Sequence, residues 1–348
     1  MKAAILETIN APLVIADVEL GALGRGQVLV KILVSGICGS QLQEIAGNKG
    51  NGKFVPHLLG HEGCGEVADV GADVTKVQKG DKVVLHWRKG DGIESDFPTY
   101  TYKGKKMPSG KVTTFSEYSV VSENRITKVP ADIPNDFCAL LGCGLSTALA
   151  TIENEARVQP GESVMIVGLG GLGACFIKAA VLAQANPIIA VDIHDRKKDA
   201  ALSLGANIFI NSAKENVREA VERVCGSKGV NVIVETSGNS KSIEDTIPLL
   251  AGSGRYIMVG QPKPGESVGL VDALHLFGGE GKMIKATQGG QFSPARDIPR
   301  YIDLYRSGKL KADDFVTHRT SLENINEAIA LMRDGKANRI MIDICPVV

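Results

Sequence analysis

Residues 164–197 read VMIVGLGGLGACFIKAAVLAQANPIIAVDIHDRK, and this stretch decides the fold. Val164-Met165-Ile166-Val167 has the length and β-branching of a buried parallel strand. It breaks at once into Gly168, Gly170, Gly171 and Gly173, and a helical pattern (Phe176, Ile177, Ala180, Val181) follows without a gap. A second run, Ile188 to Val191, ends at Asp192. Strand, glycine turn, helix, strand and acid form one βαβ unit, the fingerprint of a dinucleotide site. Gly168 permits the tight turn, Gly170 lets the backbone approach a pyrophosphate, and Gly173 allows the helix to pack close to the sheet. The helix N-terminus offers unpaired N–H groups and a positive dipole end to the phosphates. Asp192, 19 residues after Gly173, is placed to accept hydrogen bonds from the adenosine ribose. A 2′-phosphate there would meet a carboxylate, so NAD is favoured over NADP.

Working outward, the chain has 348 residues, enough for one large domain or two ordinary ones. Its formal net charge is zero and its basic runs are short, which excludes nucleic acid and anionic membrane surfaces as expected partners. No window has the apolar length of a membrane span, and the first residues lack a signal-peptide core. Seven scattered cysteines, an odd number, point to reduced thiols and a cytoplasmic location.

The first 145 residues or so read differently from the opening stretch. Lys2 to Leu6, Leu13 to Val18 and Gln27 to Val34 are short β-type runs, and residues 63–86 alternate β-branched and polar residues between glycines. A compact barrel or curled sheet is expected, with one short helix at Ser40 to Ala46. After the fingerprint, Leu204 to Ser212, Val230 to Gly238 and Gly254 to Gly260 read as three further strands with their turns. Helices at Ala213 to Cys225 and Lys241 to Leu250 lie between them. A doubly wound, six-stranded sheet results. Pro299 to Ser307 and Leu322 to Asp334 read as helices of a closing segment.

Candidate metal ligands collect in the β-rich part. Cys38 sits in GICGS, His61 and Glu62 in GHEGCGE, and Cys143 in LLGCGLSTA. Singly, a cysteine is more often core filler and a histidine a satisfied interior group. Together, two thiolates and an imidazole match the Cys₂His ligand set of a catalytic zinc site with one open position.

The motifs GICGS, GHEGCGEV, VGADVTKVQKGDKVV, LLGCGLSTA, VGLGGLG and AVDIHDRK, in this order, resemble the alcohol dehydrogenase branch of the zinc-containing medium-chain dehydrogenases. The resemblance runs nearly end to end. It implies an α/β protein with a GroES-like catalytic domain at 1–147 and 287–348 and a Rossmann NAD-binding domain at 148–286, the active cleft lying between them. It implies one catalytic zinc per chain on Cys38, His61 and Cys143, with Glu62 beside the metal and Ser40 at the start of a proton path. Asp192 and Lys197 would hold the ribose, Gly168, Gly170, Gly171 and Gly173 the pyrophosphate, and Val259 the nicotinamide side. Arg339 would contact the pyrophosphate, and Trp87 would line the substrate pocket. The partners implied are a small alcohol or aldehyde and further copies of the chain, as homodimer or homotetramer. Edge strands of the cofactor domain would make that contact, with GRYIMVG as a candidate.

Three departures qualify the resemblance. Residues 86–137 contain no cysteine, so the structural zinc of many relatives should be absent. The polar, aromatic-dotted stretch in its place reads either as a solvated loop or as a substrate-entrance or dimer-contact loop. Gly39 stands where some relatives carry a basic residue. Gln41 and Gln43 stand where relatives often carry Asp and His, and Gln43 cannot pass a proton by titrating. The expected reaction is reversible hydride transfer between an alcohol and NAD. A polyol or sugar-alcohol dehydrogenase, a zinc-free enone or quinone reductase, and a non-catalytic NAD sensor are the alternatives.

Overall fold

Ten residues, Gln27–Gly36, organise the first of two compact units. Val28, Val30 and Ile32 alternate into a fully buried face, as a strand covered on one side requires. One edge of this strand pairs antiparallel with Glu62–Val70. The other edge is shared: Tyr118–Ser122 takes Gln27 to Lys31, and Ile340–Asp343 takes Val34 to Gly36. Register shifts at Leu29/Val30 and Ile32/Val34 bend the strand, which is how a sheet curls towards closure. Among the described residues this sheet has seven strands, completed by Lys82–His86, Ile126–Lys128 and His318–Ser321. The structure is a computed structural model that describes residues 1–49, 52–270, 273–277 and 281–345. This unit comprises Met1–Ser146 and Phe292–Val348.

The stretch after His86 is not simply a solvated loop. Tyr100–Tyr102 and Lys105–Met107 form a hairpin whose Tyr100, Tyr102 and Met107 are buried with Ala3, Ile5 and Leu58. The lysines of the hairpin face outward, and this is what gives the stretch its polar look.

Thr147–Gln291 is the second unit. Its six strands run in the order Ile208–Asn211, Ile188–Asp192, Val164–Val167, Val230–Glu235, Leu250–Met258 and Met283–Ala286, all parallel. This is the doubly wound order in which the first strand sits where the winding reverses, and ligands bind at the carboxyl ends of the strands there. Val164–Val167 is wholly buried because it has neighbours on both edges and cover on both faces.

Several boundaries move for local reasons. The helix read from Ala213 begins at Val217, where the Asn216 side chain accepts from the Arg218 and Glu219 N–H groups. The helix read from Pro299 begins five residues earlier, with Pro294 in its first turn and Pro299 tolerated inside. GRYIMVG is not an edge. Arg255 to Met258 pair with Val232 to Glu235 on one side and Met283 to Ala286 on the other; the edge strands are Ile208–Asn211 and Met283–Ala286. No single helix among the described residues is long and apolar enough to cross a membrane.

Candidate functional site

Three separated segments of the first unit converge on one point. Cys38 is the N-cap of Gly39–Ile45, held there by the end of the long central strand. His61 follows Gly60, whose φ of +92° and whose Cβ position, 2.5 Å from the Thr114 hydroxyl, admit only glycine. Cys143 lies between the helices Asn135–Leu141 and Gly144–Ala150. Their donor atoms lie within 4.8 Å of one another, and the two sulfurs are 3.9 Å apart. Tetrahedral zinc with Zn–S bonds of about 2.3 Å sets two sulfurs roughly 3.8 Å apart. His61 Nε2 is buried with no hydrogen-bond partner, an expense that a metal ligand avoids. The residues therefore fit the ion. A hydrogen bond from the Cys143 thiol, helped by His61 and by the charge of Arg339, holds the Cys38 thiol well below its ordinary value against the opposing effect of burial.

The other face of His61 shows what sequence reading missed. Its Nδ1 lies against the Gln41 amide nitrogen and 3.4 Å from Ser40 Oγ. Gln41 Oε1 meanwhile accepts from the Cys38 N–H at 3.1 Å. For Nε2 to offer a lone pair, Nδ1 must carry the proton; turning the Gln41 oxygen towards it would give up the bond from the Cys38 N–H. Such outer partners orient a metal-binding imidazole. The signal was present as a capping pattern, a polar residue three positions after the N-cap. Gln43 accepts from Asn48 Nδ2 at 2.6 Å and is occupied locally.

Glu62 is fully buried. One of its oxygens accepts from the Gly144 N–H at 3.3 Å and the other is paired with Arg339, itself 2% exposed. Burial pushes the Glu62 carboxyl up and Arg339 pulls it back. Arg339 also donates to the Ile37 carbonyl at 3.4 Å. The guanidinium expected at a pyrophosphate is thus the buried counter-ion of the acid beside the metal ligands, and it is not a surface charge. The pairing could not be read from positions so far apart in the chain. Trp87, with Gln41, His61, Leu58, Leu59 and Val112, lines a cavity of about 200 Å³ to which His61 alone of the trio contributes.

In the second unit the glycine turn has the geometry its spacing suggested. Gly168 has φ +87°, and a Cβ on it would press on the Ser237 N–H at 3.0 Å. A Cβ on Gly173 would stand 2.1 Å from the Gly168 carbonyl oxygen, so helix and strand approach there only through glycine. Gly170 faces open space at the start of the helix Gly171–Leu182. Asp192 accepts from the Leu169 N–H at 2.7 Å and the His194 N–H at 3.0 Å, which fixes its carboxylate at the turn. Lys197 is largely buried, and burial lowers its pKa while Asp192 opposes this. Val259 and Gly260 both donate to the Glu235 carbonyl. Glu235 itself was not anticipated. It is buried and accepts from the Ser237 and Gly238 N–H groups, which shapes the turn facing Gly168.

Comparison with known proteins agrees with both units. Residues 24–131 match the alcohol dehydrogenase GroES-like domain, and residues 171–307 match the zinc-binding dehydrogenase family. A Synechocystis S-(hydroxymethyl)glutathione dehydrogenase is 30% identical over 98% of this chain and 99% of its own. A zinc-binding-domain alcohol dehydrogenase structure from Burkholderia ambifaria superposes with a TM-score of 0.91 at 28% identity, covering 99% of this chain and 98% of that one. Benzyl alcohol dehydrogenase from Acinetobacter calcoaceticus gives 0.89 at 27%, covering 99% of both. The chain therefore belongs to the zinc-binding medium-chain alcohol dehydrogenase family and is an oxidoreductase of that kind.

Proposed function

We propose that the protein oxidises a primary alcohol reversibly to the aldehyde, with one zinc per chain and NAD as hydride acceptor. The observation that carries this reading is the trio Cys38, His61 and Cys143 with the partnerless, buried His61 Nε2. The relatives support the substrate class: one is named for S-(hydroxymethyl)glutathione and another for benzyl alcohol, both of which carry a CH₂OH group. Zinc supplies Lewis acidity that makes a hydroxyl more acidic, and nicotinamide supplies the hydride acceptor.

The chain's own residues do the rest. Cys38, His61 and Cys143 would hold the metal, and Gln41 packs against the Nδ1 edge of the imidazole. Ser40, two residues after Cys38, takes the alcohol proton with its hydroxyl turned from the His61 Nδ1 contact and passes its own to the cofactor ribose. Gln43 is engaged by Asn48, so the last transfer uses solvent. Glu62, neutralised by Arg339, places a carboxylate behind the metal ligands without adding net charge. Trp87 and its apolar neighbours exclude water from the carbon skeleton. In the second unit the glycine turn takes the pyrophosphate, Asp192 and Lys197 the ribose, and Val259 the nicotinamide side.

A panel of small and aromatic primary alcohols, polyols and thiol-conjugated hydroxymethyl compounds, each with NAD and with NADP, tests the reading alongside elemental analysis. Turnover of primary alcohols with NAD and one zinc per chain is expected. Polyol preference, or a protein without zinc after careful handling, would overturn it. Two zincs per chain would instead refute the missing structural site.

A further inference from the structure

Two of the stretches lining the cavity beside His61, Trp87 and Gly110 to Val112, are tied to one carboxylate. Glu94 Oε1 lies 3.2 Å from the Lys111 ammonium and 3.5 Å from the Arg125 guanidinium. Arg125 in turn donates to the Trp87 carbonyl. The second oxygen of Glu94 accepts from Asn124 Nδ2 at 2.9 Å. Lys111 also donates to the Ser95 carbonyl at 2.8 Å and sits 4.2 Å from the centre of the Phe97 ring. The side chains of Arg125 and Lys111 are 15% and 25% exposed and that of Glu94 32%, so the cluster is partly shielded from solvent. Sharing one acceptor also makes them mutually dependent. Burial opposes ionisation of Glu94, but Asn124, Lys111 and Arg125 outweigh it and hold the carboxyl below its usual range.

We infer that Glu94 is a positioning residue for substrate breadth. Through Lys111 and Arg125 it fixes how far the Gly110 to Val112 stretch stands from Trp87, and so which alcohols the cavity admits. This rests on the cavity being the alcohol site. Without the negative charge, Lys111, Arg125 and also Lys89, 3.9 Å from the second Glu94 oxygen, would lose their shared counter-ion while keeping the Ser95 and Trp87 carbonyls, and the link between the two stretches would weaken.

Trp87 is the single tryptophan of the chain, so its fluorescence reports the clamp with or without turnover. In the zinc-loaded protein, Glu94→Gln should shift Trp87 emission to the red and increase acrylamide quenching. The ratio of KM values for ethanol and a naphthyl-substituted primary alcohol should change about fivefold or more, within the range of couplings between contacting residues. Turnover number for ethanol should stay within about twofold. Lys111→Met should repeat the spectral change, Lys111→Arg should restore it, and the double variant Glu94→Gln/Lys111→Met should fall short of the sum. If Glu94→Gln does not fold by circular dichroism, the Lys111 pair carries the test. Folded variants with wild-type emission and quenching would overturn the clamp. A spectral change with an unaltered KM ratio would overturn its role in specificity. Should the wild-type protein turn over no alcohol at all, the functional reading fails while the fluorescence still decides the clamp.

Discussion

The glycine turn of the second unit occupies 34 consecutive residues, Val164 to Lys197, and most of what it offers a ligand is backbone. The metal cluster of the first unit draws Cys38, His61 and Cys143 from three segments, and everything it offers is side chain. A contiguous motif carries its geometry with it, because strand, turn and helix are short-range structures. A convergent cluster depends on the curled sheet that brings its pieces together, and on partners such as Gln41 and the Glu62–Arg339 pair that no spacing reveals. The two sites should therefore fail independently and in different ways.

The largest effect is expected from His61→Ala. Losing a metal contribution of several kcal/mol costs about 10³-fold or more in rate, so turnover should fall to background and zinc should be lost on dialysis. NAD affinity, measured by fluorescence titration, should survive; its loss would mean that the two sites do not fail separately. Ser40→Ala should cost about 10² to 10⁴ in turnover number, the usual worth of a positioned proton transfer, while zinc and NAD are retained. Gln43→Ala should stay within about 0.5 kcal/mol of wild type. Near-normal steady-state kinetics in Ser40→Ala would remove the relay.

On the nucleotide side, Asp192→Gly removes a charged acceptor worth about 1.5–3 kcal/mol. The NAD over NADP preference should fall about ten- to hundredfold, with zinc content unchanged. An unaltered preference would refute the ribose assignment. One further substitution sharpens the comparison most. Gly173→Ala introduces a methyl 2.1 Å from the Gly168 carbonyl, and relieving such overpacking costs about 1–3 kcal/mol. A lower melting temperature with weaker NAD binding and full zinc occupancy is expected from calorimetry and metal analysis. A Gly173→Ala protein that binds NAD normally would show that close helix–strand approach is not what this glycine provides.

Legibility followed the range of the forces involved. Val164 to Asp192 could be read nearly to the residue, because periodicity, β-branching and positive-φ glycines act within a few positions. Cys38, His61 and Cys143 could be nominated from residue type, yet only folding shows their donors within one coordination sphere. The stretch after His86 reads as a solvated, entrance or contact loop because its polar residues mask the strand pattern, while Tyr100, Tyr102 and Met107 pack underneath. GRYIMVG was misjudged as an edge because one strand does not announce how many neighbours it has.

By itself, then, the sequence determined the class of fold and nominated the glycine turn, Asp192, and the two thiols and one imidazole of Cys38, Cys143 and His61, all of which rest on local pattern and side-chain chemistry. Only the tertiary structure decided that Gln41 meets His61, that Arg339 pairs with Glu62, and that Glu94 joins Lys111 to Arg125. The physical reason is that these are contacts of charged and polar groups drawn into partial or complete burial. Such groups must find partners wherever the fold places them, and the chain positions that meet are set by strand pairing over long separations.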